Sequence, residues 1–184
     1  MFGRGTSRLT RQQIDDEKTR LKMVGGLFHF QASRDTLADS LRLAVSVLRE
    51  AQFSPTEFEQ LKREVLTDLQ SKLDDPSERA RDAMLARFDV YAAGDPRHYI
   101  PLTERIAAVK GATLQDVQSF FERFWGTARG QIAVVGDFDP DQVAPLVSEL
   151  LGGWKSQAPY ERLLNDISMP AASRVFLDTP DKEN

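Results

Sequence analysis

Between Ser54-Pro55 and Asp74-Asp75-Pro76 the chain carries Phe58, Leu61, Val65, Leu69 and Leu73, an apolar row at helical spacing whose intervals are filled mostly by charged and polar residues. Such a row lies on one side of the backbone only in an α-helix, where positions three, four and seven apart share a face. Ser54 offers a capping hydroxyl, and Pro55 suits the first helical position because its missing N–H is not needed there. Pro76 stops the run. A helix with a single apolar stripe needs a core to lie against, so the stripe predicts a helix-rich globular domain.

Similar punctuation predicts the other elements. Thr10 with Gln13 forms a capping-box pattern ahead of Ile14, Lys18 and Leu21, a helix that Gly25-Gly26 ends. Leu27 to Ala32 alternates and reads as one strand with an aromatic face. Asp35 is placed to cap a helix carrying Leu37, Leu41, Ala44, Val45 and Leu48. Ala80, Met84, Phe88 and Tyr91 mark a further helix, ended by Gly94-Asp95-Pro96, and a short helix is expected near Thr103 to Val109. Thr113 is placed to cap a helix with Leu114, Val117, Phe120, Phe121 and Phe124. Gln131 to Val135 is an unbroken, mostly β-branched run, which predicts a strand buried on both sides. Asp139-Pro140 then opens a helix with Val143, Val147 and Leu150, ended by Gly152-Gly153. Periodicity fades from Lys155 to Arg174, and Arg174 to Asp178 predicts a strand without a partner in the remaining residues. The division expected is a domain over 1–153, with 154–184 a linker and the first strand of a following domain.

Composition removes several classes of function. With 41% hydrophobic and 28% charged residues among 184, the chain can build a core and is too apolar for general disorder. Its net charge is -4, with Lys and Arg scattered among acids, so nucleic-acid binding is not expected. The absence of cysteine excludes disulfides, thiol catalysis and thiolate metal sites, but leaves the compartment open, periplasmic or cytoplasmic. No apolar run approaches the ~20 residues of a membrane span, and the first residues lack the apolar segment of a secretory signal.

The order of several phrases carries more information than any one of them. Gly5-Thr6 precedes the first helix, Leu48-Arg49-Glu50-x-x-Phe53 ends the second, and the Phe58 to Leu73 helix follows. Gly94-Asp95-x-x-His98-Tyr99, Glu104-Arg105-Ile106-Ala-Ala-Val109, Thr113 to Phe121, and Ala133-Val-Val-Gly136-Asp-Phe-Asp139-Pro140 come next. In this order, over residues 5 to 153, the chain resembles the first half of a unit of the pitrilysin/insulinase-type zinc metallopeptidases. The resemblance implies an α+β fold in which a small, mainly antiparallel sheet packs against several helices.

In that family an HxxEH helix supplies two histidine ligands and the glutamate that activates the metal-bound water, and a glutamate on a later helix is the third ligand. By resemblance, Asp68 occupies the third-ligand position. Aspartate is one methylene shorter than glutamate, and metal geometry tolerates only small displacements, so a site built on it is poor. Gly5-Thr6 follows HxxEH closely in the family, which places that motif just before Met1 or implies a degenerate copy without it.

The remaining candidates have plainer readings. HxxEH needs two histidines one helical turn apart, whereas this chain has only His29 and His98, in different elements. Asp68 sits one position off the apolar stripe, where an exposed carboxylate is expected. Asp137-x-Asp139-x-Asp141 imitates the opening of a calcium loop, but the sixth position is not glycine and Ser148 stands where the bidentate glutamate belongs, so a helix cap is expected. Gly3-Arg4-Gly5 lacks the lysine and spacing of a phosphate loop.

The reading is a non-catalytic structural domain of a multidomain zinc-metallopeptidase-like protein, forming chamber wall and interdomain surface. It has no catalytic or metal-binding residue of its own and no cofactor, zinc belonging to active family members. Its expected partners are other domains of the parent or a catalytic subunit, with peptide as a possible substrate. Two alternatives stay open: a piece of an active zinc endopeptidase whose HxxEH lies upstream, and a helical protein-interaction module.

Overall fold

The computed structural model describes residues 2–127, 129–166 and 169–178. Among them are seven α-helices, α1 (Arg11–Arg20), α2 (Leu37–Arg49), α3 (Pro55–Leu73), α4 (Pro76–Phe88), α5 (Leu102–Gly111), α6 (Leu114–Phe124) and α7 (Pro140–Leu151), and two short strands, β1 (Val24–Gly25) and β2 (Phe30–Gln31). The strands pair antiparallel, giving the expected α+β class. The chain divides into two units, one of Met1–Phe58 with Leu114–Tyr160 and one of Glu59–Thr113 with Glu161–Asn184.

In the first unit α1 begins with the anticipated capping box. Thr10 Oγ1 accepts from the Gln13 N–H at 3.3 Å, and Gln13 Oε1 accepts from the Thr10 N–H at 2.9 Å. Two N–H groups that no helical carbonyl can reach are satisfied in this way. Ile14 and Leu21, with Met23 beyond the helix, are buried against Leu43, Ala44 and Val47 of α2. A second cluster joins Leu41 of α2 to Val143 and Leu146 of α7, with Phe30, Val134 and Phe138 at its edge. Asp139 caps α7, accepting from the Asp141 N–H at 3.0 Å. Asp35 does not cap α2; it lies in a 3-10 turn, Arg34–Thr36, that leads into the helix.

The strand expected over Leu27 to Ala32 starts only at Phe30. Its partner Val24–Gly25 lies immediately upstream, so Leu27 to His29 are spent reversing the chain. Gly25 has φ +110°, and a Cβ there would stand 2.6 Å from the His29 carbonyl oxygen. Only glycine fits that position.

Beyond α2, aromatic rings gather. Phe121 and Trp125 lie 6.1 Å apart, Phe53 meets Phe121 at 5.1 Å, and Trp125 meets Trp154 at 6.4 Å between centroids. The Trp125 indole N–H donates to the Leu48 carbonyl at 3.1 Å. The run Gln131 to Val135 departs from expectation: it forms no strand, and Val135 is 96% exposed. β-Branched composition records suitability for a ladder, but a ladder also needs a neighbour, and no described segment supplies one.

In the second unit the α3 stripe does its expected work. Leu69 is buried with Leu102 and Ile106 of α5, flanked by Val65, Leu66, Leu73 and Val109. Asp75 accepts from the Ser77 and Glu78 N–H groups and so caps α4, the proline beside it sitting at the helix start. α4 stops at Phe88 instead of running on to Gly94, because Asp89 turns the backbone to extended angles. Residues 174–178 join no ladder. They run beside α4, lining a groove with Ala80, Met84 and Phe88, and Arg79 donates to the Asp178 carbonyl at 2.8 Å. Of the expected following domain, 179–184 lie outside the described residues.

Candidate functional site

Asp68 projects from α3 with 60% of its side chain exposed, and its Oδ2 lies 2.6 Å from Lys72 Nζ one turn on. The ammonium occupies lone pairs that a cation would need. His29 stands in the hairpin turn of the first unit, exposed, and not within a strand. His98 belongs to a loop of the second unit. Among the described residues no three His, Cys, Asp or Glu side chains converge to hold a metal ion. Asp137 pairs with Arg34 and Asp139 caps α7, so the carboxylates of the calcium-like phrase are engaged separately.

The most constructed polar arrangement is one that the sequence reading passed over, the loop between α4 and α5. The Asp89 side chain, 8% exposed, accepts from the Tyr91 and Tyr99 N–H groups, each at 3.1 Å, and lies 2.5 Å from His98 Nδ1. Asp95 grips Arg97 through two bonds, Nε to Oδ1 at 2.9 Å and Nη2 to Oδ2 at 2.7 Å, and also accepts the Arg97 N–H. The guanidinium stacks over the Tyr91 ring, 4.2 Å from its centroid. Asp82 of α4 receives the Tyr99 hydroxyl at 2.8 Å and the Leu102 N–H at 3.0 Å, which caps α5 from a distance. These contacts tie one loop to two helices. They place no nucleophile against a base, and their chemistry is that of a structural lock.

The signal that identifies this lock is local. Asp89 and Asp95 each accept the N–H two residues ahead, the Asx-turn arrangement that aspartate favours. Burial alone would raise the Asp89 pKa, but the Tyr91 and Tyr99 N–H groups and His98 outweigh it and the net shift is downward. Hydrogen bonds from the Arg97 side chain and backbone hold Asp95 at about 2. Burial, then the bond to Asp82, pushes the Tyr99 hydroxyl upward.

Both carboxylates are depressed in the folded state, so their contribution is present above the ordinary value near ~4 and disappears as pH falls below it. Amide protection across 89–99, taken relative to the intrinsic exchange rate at each pH, is expected to hold down to about pH 4 and to fall progressively between about pH 4 and pH 2. Asp95→Asn should lower the protection already at neutral pH and flatten its pH dependence, leaving only the part due to Asp89. Exchange in the unaltered chain that is already fast at neutral pH would contradict the lock.

Comparison with known families bears on α6, α7 and what lies around them. Residues 111–184 match the family model described as the Peptidase M16 inactive domain. Over those residues the chain is similar to the inactive peptidase-like domain of the pitrilysin family. A comparison with curated proteins finds no match. The M16 match takes in α6, the unpaired run Gln131 to Val135 and α7; α3 with Asp68 lies before it. The match over residues 111–184 thus supports a non-catalytic peptidase-family domain there. Among the chain's described residues no helix is long and apolar enough to cross a membrane.

Proposed function

We infer that the chain serves as a structural domain of a multidomain zinc-metallopeptidase-like protein, contributing chamber wall and interdomain surface. Residues 1–153 would form the peptidase-like part and 154–184 the connection to a following domain. The observation that carries the reading is the match of residues 111–184 to an inactive M16 domain. The chemistry of the donors supports it. Zinc in active relatives activates a water, which takes two histidines, a carboxylate and a free coordination position. The described residues do not fit that ion, since Asp68 is paired with Lys72 and no three His, Cys, Asp or Glu side chains among them converge. Peptide processing by the parent would then rest on other domains or a catalytic subunit.

Dialysed against zinc and then against buffer, the 184-residue chain is expected to retain no stoichiometric metal, and a chelator should leave its melting temperature unchanged. In the full-length parent, Asp68→Ala should leave kcat/KM for peptide cleavage within about twofold of the wild type, because a side chain off the reacting atoms contributes little. Retention of one zinc with chelator-sensitive cleavage would overturn the reading.

A further inference from the structure

Residues 169–178 lie along α4 in the second unit, and two arginines of that helix hold them by the main chain. Arg87 donates to the Ala171 carbonyl at 2.9 Å and Arg79 to the Asp178 carbonyl at 2.8 Å. Arg87 is near the end of α4 and Arg79 near its start, so the segment runs antiparallel to the helix. Among the described residues neither guanidinium has a carboxylate partner. A guanidinium has donors only, in a planar fork, and here each commits one to a peptide oxygen.

Between the two grips the side chains alternate. Val175 and Leu177 line a groove with Ala80, Met84 and Phe88, while Phe176 between them is 83% exposed. A period of two belongs to an extended segment, and residues four apart on α4 share one face of it. No residue of α4 is fully buried even with the segment in place, and Leu177 itself stays 39% exposed. The seat is shallow.

A carbonyl belongs to every residue, so the two arginines read an extended main chain and not its sequence. The side-chain requirement is only that alternate positions be apolar. Just upstream the chain is tethered to the α4–α5 loop, where Arg97 donates to the Leu164 carbonyl and the Asp166 N–H to the Tyr91 hydroxyl, each at 2.6 Å. A shallow seat filled by a tethered ligand empties and refills locally, the tether supplying an effective concentration on the order of millimolar.

We propose that the face of α4 between Arg79 and Arg87 is a binding site for an extended polypeptide with apolar side chains at alternate positions, filled here by the chain's own residues 169–178 as a displaceable strap. The site goes beyond the reading of the chain as a non-catalytic domain, which names no ligand, and zinc-dependent cleavage would remove that reading while leaving the site standing.

The test is limited trypsin digestion of the 184-residue chain, with the initial rate of cleavage after Arg174 read by mass spectrometry. Arg174 is exposed at the middle of the strap, and a protease cuts the population in which the strap has left its seat. Cleavage there is expected to be about tenfold slower than in a free blocked peptide of residues 169–178. Arg79→Gln together with Arg87→Gln should bring the rate to within about twofold of the peptide's, with the helical circular dichroism unchanged. Leu177→Ser, which leaves α4 as it is, should raise the rate as well. In trans, the blocked peptide Pro-Ala-Ala-Ser-Gln-Val-Phe-Leu-Asp, which trypsin cannot cut, should raise the rate in the native chain at millimolar concentration, where it matches the tether. Serines in place of its valine and leucine should remove that effect. A native rate equal to the free peptide's, or no response to the peptide in trans, would overturn the proposal. So would protection that grows with chain concentration alongside a doubled mass by light scattering, since the strap would then sit on a second copy.

Discussion

Replacing Ile14 by alanine is expected to cost the first unit about 3 kcal/mol, the middle of the range for large-to-small changes in a core. Ile14 is 1% exposed and its neighbours come from two directions, Leu21 and Met23 following its own helix and Leu43, Ala44 and Val47 on α2. The alanine loses the transfer energy of three carbons and leaves a void between two helices that cannot both move inward. Met23 is the neighbour best able to fill part of the gap, because its thioether side chain has several accessible rotamers. That relief keeps the cost below the upper end of the range. For a unit of about a hundred residues each kcal/mol lowers the melting temperature by about 4–8 °C, so the shift should exceed about 10 °C. Urea titration should show a lower midpoint at unchanged slope. A loss below about 1 kcal/mol would mean that the α1–α2 contact is not the core it appears from burial to be.

Leu102→Ala should have a comparable effect on the second unit, about 2–4 kcal/mol. Leu102 is 3% exposed, opens α5 and lies against Leu69 and Ile106, so its loss separates α5 from α3. The Leu102 N–H remains bonded to Asp82 in the variant, because that bond is made by the backbone. α5 should therefore still start at the same residue while losing its packing. Amides of α5 are expected to lose protection by about 1.5–3 orders of magnitude, in proportion to the lost stability. If their protection were untouched, the Leu69, Leu102 and Ile106 cluster would not be what holds the unit together.

What was legible in the sequence was chemistry that closes within a few residues. The Thr10 and Gln13 box, the Asp139-Pro140 start of α7 and the Asp75-Pro76 start of α4 depend on side chains reaching N–H groups two or three positions away. The α3 stripe was legible because a helix supplies its own hydrogen bonds, leaving only a face to be buried. Gln131 to Val135 failed as a strand for the opposite reason: its hydrogen bonds must come from a segment elsewhere, and residue types cannot say whether one arrives. Arg174 to Asp178 failed likewise. At the candidate site, Asp68 lies one position off the stripe, and its side chain is exposed beside Lys72. The lock around Asp89, Asp95 and His98 escaped because its partners are spread from Asp82 to Arg105 and its aspartates resemble ordinary loop residues.

Trp125 and Trp154 both belong to the first unit, whereas Tyr91 and Tyr99 are in the second. Intrinsic emission excited at the indole band is therefore a one-sided witness. A single smooth fluorescence melt would report α1, α2 and their surroundings while staying silent about α4 and α5, so its midpoint should not be quoted for the whole polypeptide. Tyr160 lies in the first unit, so tyrosine signals are mixed, and an indole introduced into the second unit would give the other half its own voice.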